Sequence, residues 1–363
     1  MLREQLPRIG RQPAGARNAI TDVAGVTVGH CTLDAGDVQT GVTVIRPHAG
    51  DAFRDRVPAA AVVLNGFGKS VGLMQVEELG VLETPIALTN TFSVAAMVEA
   101  QIRQCVAANP ESGRGLATVN PLVFECNDGY LNDIQRMAVS GKHYLQAFET
   151  AGVDVEEGSV GAGRGMSCFG LKGGIGTASR RVPGRGGVEH AIGALVLANY
   201  GRQPQLVMAG HAIGDRIASL LRTHRAPSVP EAEKGSIILV IATDAPLDSR
   251  QLRRLALRAG AGLARTGSVF GHGSGDIALA FSTAYTVPQR TDQPMPAPAM
   301  LHDGLLDPLF QAVADSTEQA IIHALWRSGK VTGRDGHRRF ALSDLMTDWP
   351  PSPEQPLFPG SPS

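Results

Sequence analysis

Short apolar runs separated by glycine recur along the whole chain, and this alternation restricts its fold more than any other feature. The runs are GVTVGHCTL, GVTVIRP, AAAVVLNGFG, TPIALTN, LVFECNDGY, AIGALVLANYG, SIILVIATDAP and GDIALAFSTAY. Their length and β-branched content predict strands, with AIGALVLANYG alone reading equally well as helix. Glycine fills 43 of 363 positions but lies among good core residues. That mixture predicts tight turns and close backbone approaches in an α/β or α+β body, large enough for two domains or one large unit.

Helical periodicity appears in FSVAAMVEAQIRQCVA, DSRQLRRLALRAGAGLAR and STEQAIIHALWRSGK. In the second, Leu252, Leu255, Ala256, Ala259 and Leu263 line one face behind Asp248 or Ser249 as a cap. In the third, Ser316 and Gln319 have capping-box spacing. The arginines of the second helix, Arg250, Arg253, Arg254, Arg258 and Arg265, read as a solvated face, because the formal net charge is -1 and no aromatics interleave with them. Nucleic acid and membrane are therefore not expected partners.

Cys31, Cys105, Cys126 and Cys168 are widely spaced, which fits free thiols in a reducing compartment better than zinc or a disulfide framework. The first residues lack a signal-peptide core and no run approaches a membrane span, so a cytoplasmic protein is expected. THRAPSVPEAEKG and TVPQRTDQPMPAPAM read as irregular linkers, and the tail PPSPEQPLFPGSPS, with six prolines, as extended.

Two glycine motifs stop short of phosphate chemistry. NGFGKS ends like a P-loop but has Val63 where that pattern needs glycine, and VGAGRGMS has Met166 where a dinucleotide fingerprint needs one. Turns and tight backbone packing are the readings they favour; a non-catalytic nucleotide-binding protein is the alternative. No histidine spacing suggests a metal, and no cofactor is expected.

At Gly235-Ser236 a charged stretch, EAEK, gives way to the apolar run IILVIA. A turn followed by a strand accounts for the pair without chemistry. Self-cleavage is the other reading: the Ser236 hydroxyl attacks the Gly235 carbonyl, an ester forms, and water frees a new N-terminal serine carrying hydroxyl and α-amine together. Downstream, Ser274 and Asp276 in GHGSGDIALAF are two apart, so an extended backbone points both to one face. Asn199 closes ALVLAN and Tyr130 follows CNDG; each is a competent oxyanion donor or a satisfied structural group. Glu125, a carboxylate in an apolar strand, needs a partner, either a substrate ammonium or an internal ion pair.

Together these residues resemble the self-processing aminopeptidases that include the DmpA-type L-aminopeptidase/D-amidase-esterases and the β-aminopeptidases. The segments that carry the resemblance are NAITDVAGVTVGH, GVTVI, LNGFGKS, VFECNDGYLNDI, GAGRGMSCFGLKGGIGTASR, ALVLANYG, GSIILVIATDAPL and GHGSGDIALAFST, in the expected order over residues 18–283. The resemblance implies an α+β fold, a four-layer αββα sandwich. It also implies cleavage into residues 1–235 and 236–345 of one catalytic domain, followed by the Pro-rich tail 346–363. Ser236 becomes the nucleophile, Ser274 and Asp276 its support, and Tyr130 and Asn199 the stabilisers of the tetrahedral intermediate. The implied substrates are small peptides and amino-acyl amides or esters with an L-, D- or β-residue at the free amine, and the implied assembly is a homo-oligomer of cleaved pairs. Asp276 stands where some members have Glu, which leaves open whether it or the Ser236 α-amine takes the proton. An acyltransferase of the ornithine acetyltransferase type shares the architecture; its relatives use threonine where this chain has Ser236.

Overall fold

The computed structural model describes residues 6–223 and 235–346. Most of THRAPSVPEAEKG and all of the proline-rich tail after Met346 lie outside them.

Two sheets stack face to face. The smaller has strands β1 (Thr27–Leu33), β2 (Thr40–Arg46), β4 (Ile86–Asn90) and β5 (Leu122–Cys126) in that spatial order. The larger, of seven strands, includes β3 (Asp55–Gly66), β9 (Gly275–Ser282), β8 (Ser236–Thr243), β7 (Glu189–Asn199) and β6 (Gly174–Pro183), side by side in that order. Pairing is antiparallel except for β8 with β9 and β4 with β5. All eight apolar runs form strands, and the ambiguous AIGALVLANYG is β7.

Alternation along the strands assigns the layers. On β8, Ile238 and Val240 join Leu195, Leu279, Ile45 and Phe124 in the core between the sheets. The alternate residues Ile237, Leu239 and Ile241 face α3 (Ser249–Arg265) and α4 (Asp307–Trp326) through Leu252, Leu255 and Ile321. The smaller sheet turns Val42, Val44 and Val123 toward α1 (Val94–Ala108) and α2 (Gly141–Glu149), which contribute Met97 and Tyr144. The protein is an α+β fold in four layers, helix, sheet, sheet, helix.

Helix boundaries follow local chemistry. Asp248 caps α3 by accepting the Gln251 N–H at 2.7 Å. The Ser316–Gln319 spacing is no cap: α4 begins nine residues before Ser316, at Asp307, with Pro308 in its first turn. Gln319 instead accepts the Ile9 N–H at 2.9 Å, tying the N-terminal segment to α4. The arginine face of α3 is engaged rather than merely solvated. Arg250 and Arg254 pair with Asp303, Arg265 with the buried Asp315, and Arg258 stacks on Phe310.

Strands from both sides of Gly235-Ser236 interleave. β8 and β9, which follow the junction, lie between β3 and β7, which precede it.

Candidate active site

Ser236 is the first residue of β8, flanked in register by Asn199, the last residue of β7, and Gly275, the first of β9. The alternation that sends Ile238 between the sheets puts the buried Ser236 side chain on that same face. Its hydroxyl oxygen accepts the Gly275 N–H at 3.1 Å. Its carbonyl accepts the Cys126 thiol at 3.4 Å. Burial, with Glu125, Asp276 and Asp128 nearby, pushes that thiol well above its ordinary range, so it stays protonated and does not compete as a nucleophile.

Gly235 answers to a close approach. A β-carbon there would lie 2.3 Å from the Asn199 carbonyl oxygen and 2.6 Å from the Tyr200 Cα, both backbone atoms. No larger residue fits without a backbone shift, either at residue 235 or at the end of β7.

Ser274 donates its hydroxyl hydrogen to Asp276 Oδ1 at 2.5 Å, both side chains being buried. Gly275, the residue between them, carries the N–H that holds Ser236. A β-carbon on Gly275 would meet the Phe67 carbonyl oxygen at 2.8 Å and the Gly68 Cα at 3.0 Å. The NGFGKS segment is thus the wall behind the site. Phe67 N–H donates to the Ser274 carbonyl at 3.2 Å, and the Asn65 amide donates to the same oxygen. A break in pairing register with β3 between Asp276 and Ile277 re-aims the strand at this point. The second glycine motif also packs tightly, as a short 3-10 turn at Gly161–Gly163.

Asn199 is oriented by two backbone groups. Its Oδ1 accepts the Ser167 N–H at 2.8 Å and its Nδ2 donates to the Asn127 carbonyl at 3.0 Å. Since only oxygen can take the Ser167 proton, the NH₂ must face Asn127, and its second hydrogen remains to be given. Tyr130 lies on the same loop as Asn127. Its ring stacks on His337, centroids 4.6 Å apart, and no hydrogen bond joins its hydroxyl to Ser236 among the described residues.

Glu125 is buried on β5. One carboxylate oxygen accepts the Lys69 N–H at 2.8 Å and the other the Thr91 hydroxyl. Among the described residues no cationic side chain pairs with it. Gly68 neighbours both it and the start of β9: a β-carbon there would be 3.7 Å from both Glu125 Oε1 and the Gly275 Cα. Nearby, burial pushes the Asp128 carboxyl up to about 7, opposed by hydrogen bonds that include one from Asn132. Burial likewise holds the Lys172 ammonium well below its usual range, though its Nζ donates to the Gly163 and Gly173 carbonyls at 2.8 and 2.6 Å. Among the described residues no group of three or more His, Cys, Asp and Glu side chains gathers as a metal site.

The junction, the Ser274–Asp276 pair and Asn199 therefore converge. Gly275, Asn127 and Ser167 escape sequence reasoning because they act through backbone atoms; the one visible signal is a glycine between two polar residues at a strand start.

The profile of peptidase family S58 matches residues 18–339. The chain belongs to peptidase family S58. It is 39% identical over 341 residues to the beta-peptidyl aminopeptidase BapA of Sphingosinicella microcystinivorans, covering 89% of this chain and 85% of that one. Among solved structures it resembles the L-aminopeptidase D-Ala-esterase/amidase of Ochrobactrum anthropi, with TM-score 0.84, 35% identity and 93% and 94% of the two chains covered. That enzyme is described as a prototype for the serine aminopeptidases and a variant of the Ntn hydrolase fold. A Burkholderia sp. beta-aminopeptidase superposes with TM-score 0.82 at 43% identity over 92% and 93% of the chains. This S58 chain is a hydrolytic enzyme, a peptidase of the serine aminopeptidase type. No helix among its described residues is long and apolar enough to cross a membrane.

Proposed function

We propose that this S58 peptidase cuts its own chain between Gly235 and Ser236, and that Ser236, now N-terminal, hydrolyses amide or ester bonds after a small residue bearing a free amine. The observation that carries the reading is the setting of Ser236: it opens a central strand, held by Gly275 N–H, beside the Ser274–Asp276 pair and opposite Asn199. In maturation the Ser236 oxygen bonds to the Gly235 carbonyl carbon. The C–N bond then breaks, the nitrogen leaves as the protonated α-amine, and water hydrolyses the ester. In turnover the same oxygen takes the substrate acyl group while the leaving amine or alcohol departs with the proton, and water then hydrolyses the acyl ester, releasing the acid and restoring the Ser236 hydroxyl. Ser274 already donates toward Asp276, so its oxygen can receive a proton from the nucleophile and pass one on; the Ser236 α-amine, with an ordinary pKa near ~8, is the other acceptor. Asn199 and Tyr130 supply hydrogens to the developing oxyanion, an interaction worth about 10²–10³ in kcat for a single donor.

Residues 1–235 and 236–345 then form two segments of one catalytic domain, held together because β8 and β9 are interleaved with β3 and β7. Intact mass under denaturing conditions tests this. Two chains of 235 and 128 residues (363 minus 235), whose masses sum to the precursor plus one water, are expected. Active protein that stays in one piece contradicts the proposal.

Glu125 is the proposed ammonium anchor, because a buried carboxylate near the nucleophile with no cationic partner among the described residues is stabilised by the cation a substrate brings. Glu125→Gln is expected to raise KM for free-amine substrates about 10- to 100-fold while N-acylated esters, lacking the charge, change little. An unchanged KM removes this role. The similarity to β-aminopeptidases supports β-amino acyl substrates alongside L- and D-residues; a panel of amino-acyl p-nitroanilides ranks them.

Self-association is proposed from an exposed apolar stripe. Phe92, Ile102 and Val106 on and beside α1, with Val71 and Met137, leave a broad groove that a second copy would cover. Ile102→Glu is expected to lower the mass measured by light scattering, and an unchanged mass removes this face as the contact. The four buried free cysteines suit the cytoplasm.

A further inference from the structure

After α4 the chain makes a small hairpin, Val331–Thr332 paired with Arg338–Arg339, remote in sequence from the nucleophile. Its residues reach two segments that do not otherwise belong together. The Arg334 N–H donates to the Leu131 carbonyl at 2.8 Å and its Nε to the Gly129 carbonyl at 2.7 Å. His337 Nδ1 donates to the Tyr130 carbonyl at 2.8 Å while its ring stacks on Tyr130 at an interplanar angle of 8°. Arg339, itself buried, lays its guanidinium 3.6 Å above the Tyr130 ring and donates from Nε to the Ser167 hydroxyl at 3.1 Å. One hairpin thus grips the 129–131 stretch on one side and Ser167 on the other.

These two segments adjoin or contain the holders of the Asn199 amide: Asn127, two residues before the first, accepts from Nδ2, and the Ser167 N–H donates to Oδ1. A primary amide is nearly symmetric in shape, so a half-turn swaps oxygen for NH₂ at little steric cost. Turned over, Asn199 would face N–H against NH₂ and carbonyl against carbonyl, losing both hydrogen bonds. The preference for the productive orientation lasts only while both holders keep their spacing. The Tyr130 ring, whose phenol is the other proposed donor, is fixed by the same hairpin.

We infer that the 331–339 hairpin is a positioning element for catalysis, in which Arg339 holds Ser167 and Tyr130 so that both oxyanion donors point at the reacting carbonyl. This rests on the reading of Asn199 as a donor. Arg339 and Ser167 are positioning residues in this reading, acting through Asn199 and Tyr130. Arginine suits the post because its planar fork stacks on an aromatic face and donates sideways at once.

The test uses the mature full-length enzyme carrying Arg339→Met, Ser167→Ala, both together, Arg339→Lys and Asn199→Ala, with kcat, KM and melting temperature read for each. Arg339→Met is expected to lower kcat about 10-fold with KM within about twofold, and the double variant to be no slower than Arg339→Met alone, because the two residues form one link. Arg339→Lys keeps a donor for Ser167 and should recover part of the loss. Unchanged kcat in Arg339→Met, even with a lowered melting temperature, overturns the inference, as do a change confined to KM or losses that multiply in the double variant. Asn199→Ala separates the two levels. If it is slow while Arg339→Met is normal, only the hairpin's role falls; if it turns over like wild type, the reading of Asn199 falls with it.

Discussion

Ser236→Ala is expected to yield a single folded chain of 38.1 kDa, with no second terminus reading Ser-Ile-Ile-Leu and with hydrolysis lowered by about 10⁴-fold or more. Both losses come from one atom. The hydroxyl oxygen that attacks the Gly235 carbonyl in maturation is the one that takes the acyl group in turnover, and no neighbouring nucleophile replaces it, since burial keeps Cys126 a thiol. The fold should survive. Ser236 Oγ makes one protein hydrogen bond among the described residues, accepted from Gly275 N–H, and leaving that buried donor without a partner costs about 1–3 kcal/mol. Ile237 to Ala242 and their core contacts are untouched. Intact mass, N-terminal sequencing and a melting curve on one preparation decide it. Two chains from Ser236→Ala, or activity near wild type, would remove Ser236 from the centre of the mechanism.

What could be read from sequence was what side chains advertise. The β8 run Ile237 to Ala242 announces a buried strand, and the spacing of Ser274 and Asp276 places their side chains within the 2.5 Å contact observed. β6 escaped the strand reading because its core positions carry little apolar signal: Gly176, Ser179 and the buried Arg180 lie along it. Gly176 is there because α4 passes so close that a β-carbon would come 1.9 Å from the Ala320 carbonyl oxygen. The start of α4 is hidden for the converse reason, since Ser316 and Gln319 imitate a cap while both are buried, Gln319 against the N-terminal segment. Within the site, Asn199 and Ser236 are far apart in sequence, and their adjacency exists only in the register of β7 with β8. The tasks of Gly275, Asn127 and Ser167 depend on backbone N–H and C=O groups, which every residue has, so composition and spacing carry no trace of them.

Gly235→Ala is expected to accumulate precursor, with maturation slowed by about 10²-fold or more, although every proposed catalytic side chain remains in place. The cause is a collision with backbone. The added carbon would lie 2.3 Å from the Asn199 carbonyl oxygen and 2.6 Å from the Tyr200 Cα, where no side-chain rotation gives relief. Either the 235 peptide group or the end of β7 must move by the better part of an ångström. The first displaces the carbonyl that Ser236 attacks, and the second displaces Asn199, which shares that strand end. A reacting carbonyl misplaced by about 1 Å costs on the order of 10²-fold, and a displaced oxyanion donor costs a similar factor. Gly235→Val, with two further methyl groups, should be slower still. Once the bond is cut the constraint lifts, because residue 235 becomes a chain end free to move away from β7. Whatever fraction matures should therefore turn over substrate at the wild-type rate per nucleophile, as counted by active-site titration beside a denaturing gel time course. Maturation of Gly235→Ala at the wild-type rate would mean that the packing of Gly235 against Asn199 plays no part in placing the scissile bond. Slow turnover in the matured fraction would instead place the defect in a lasting displacement of Asn199.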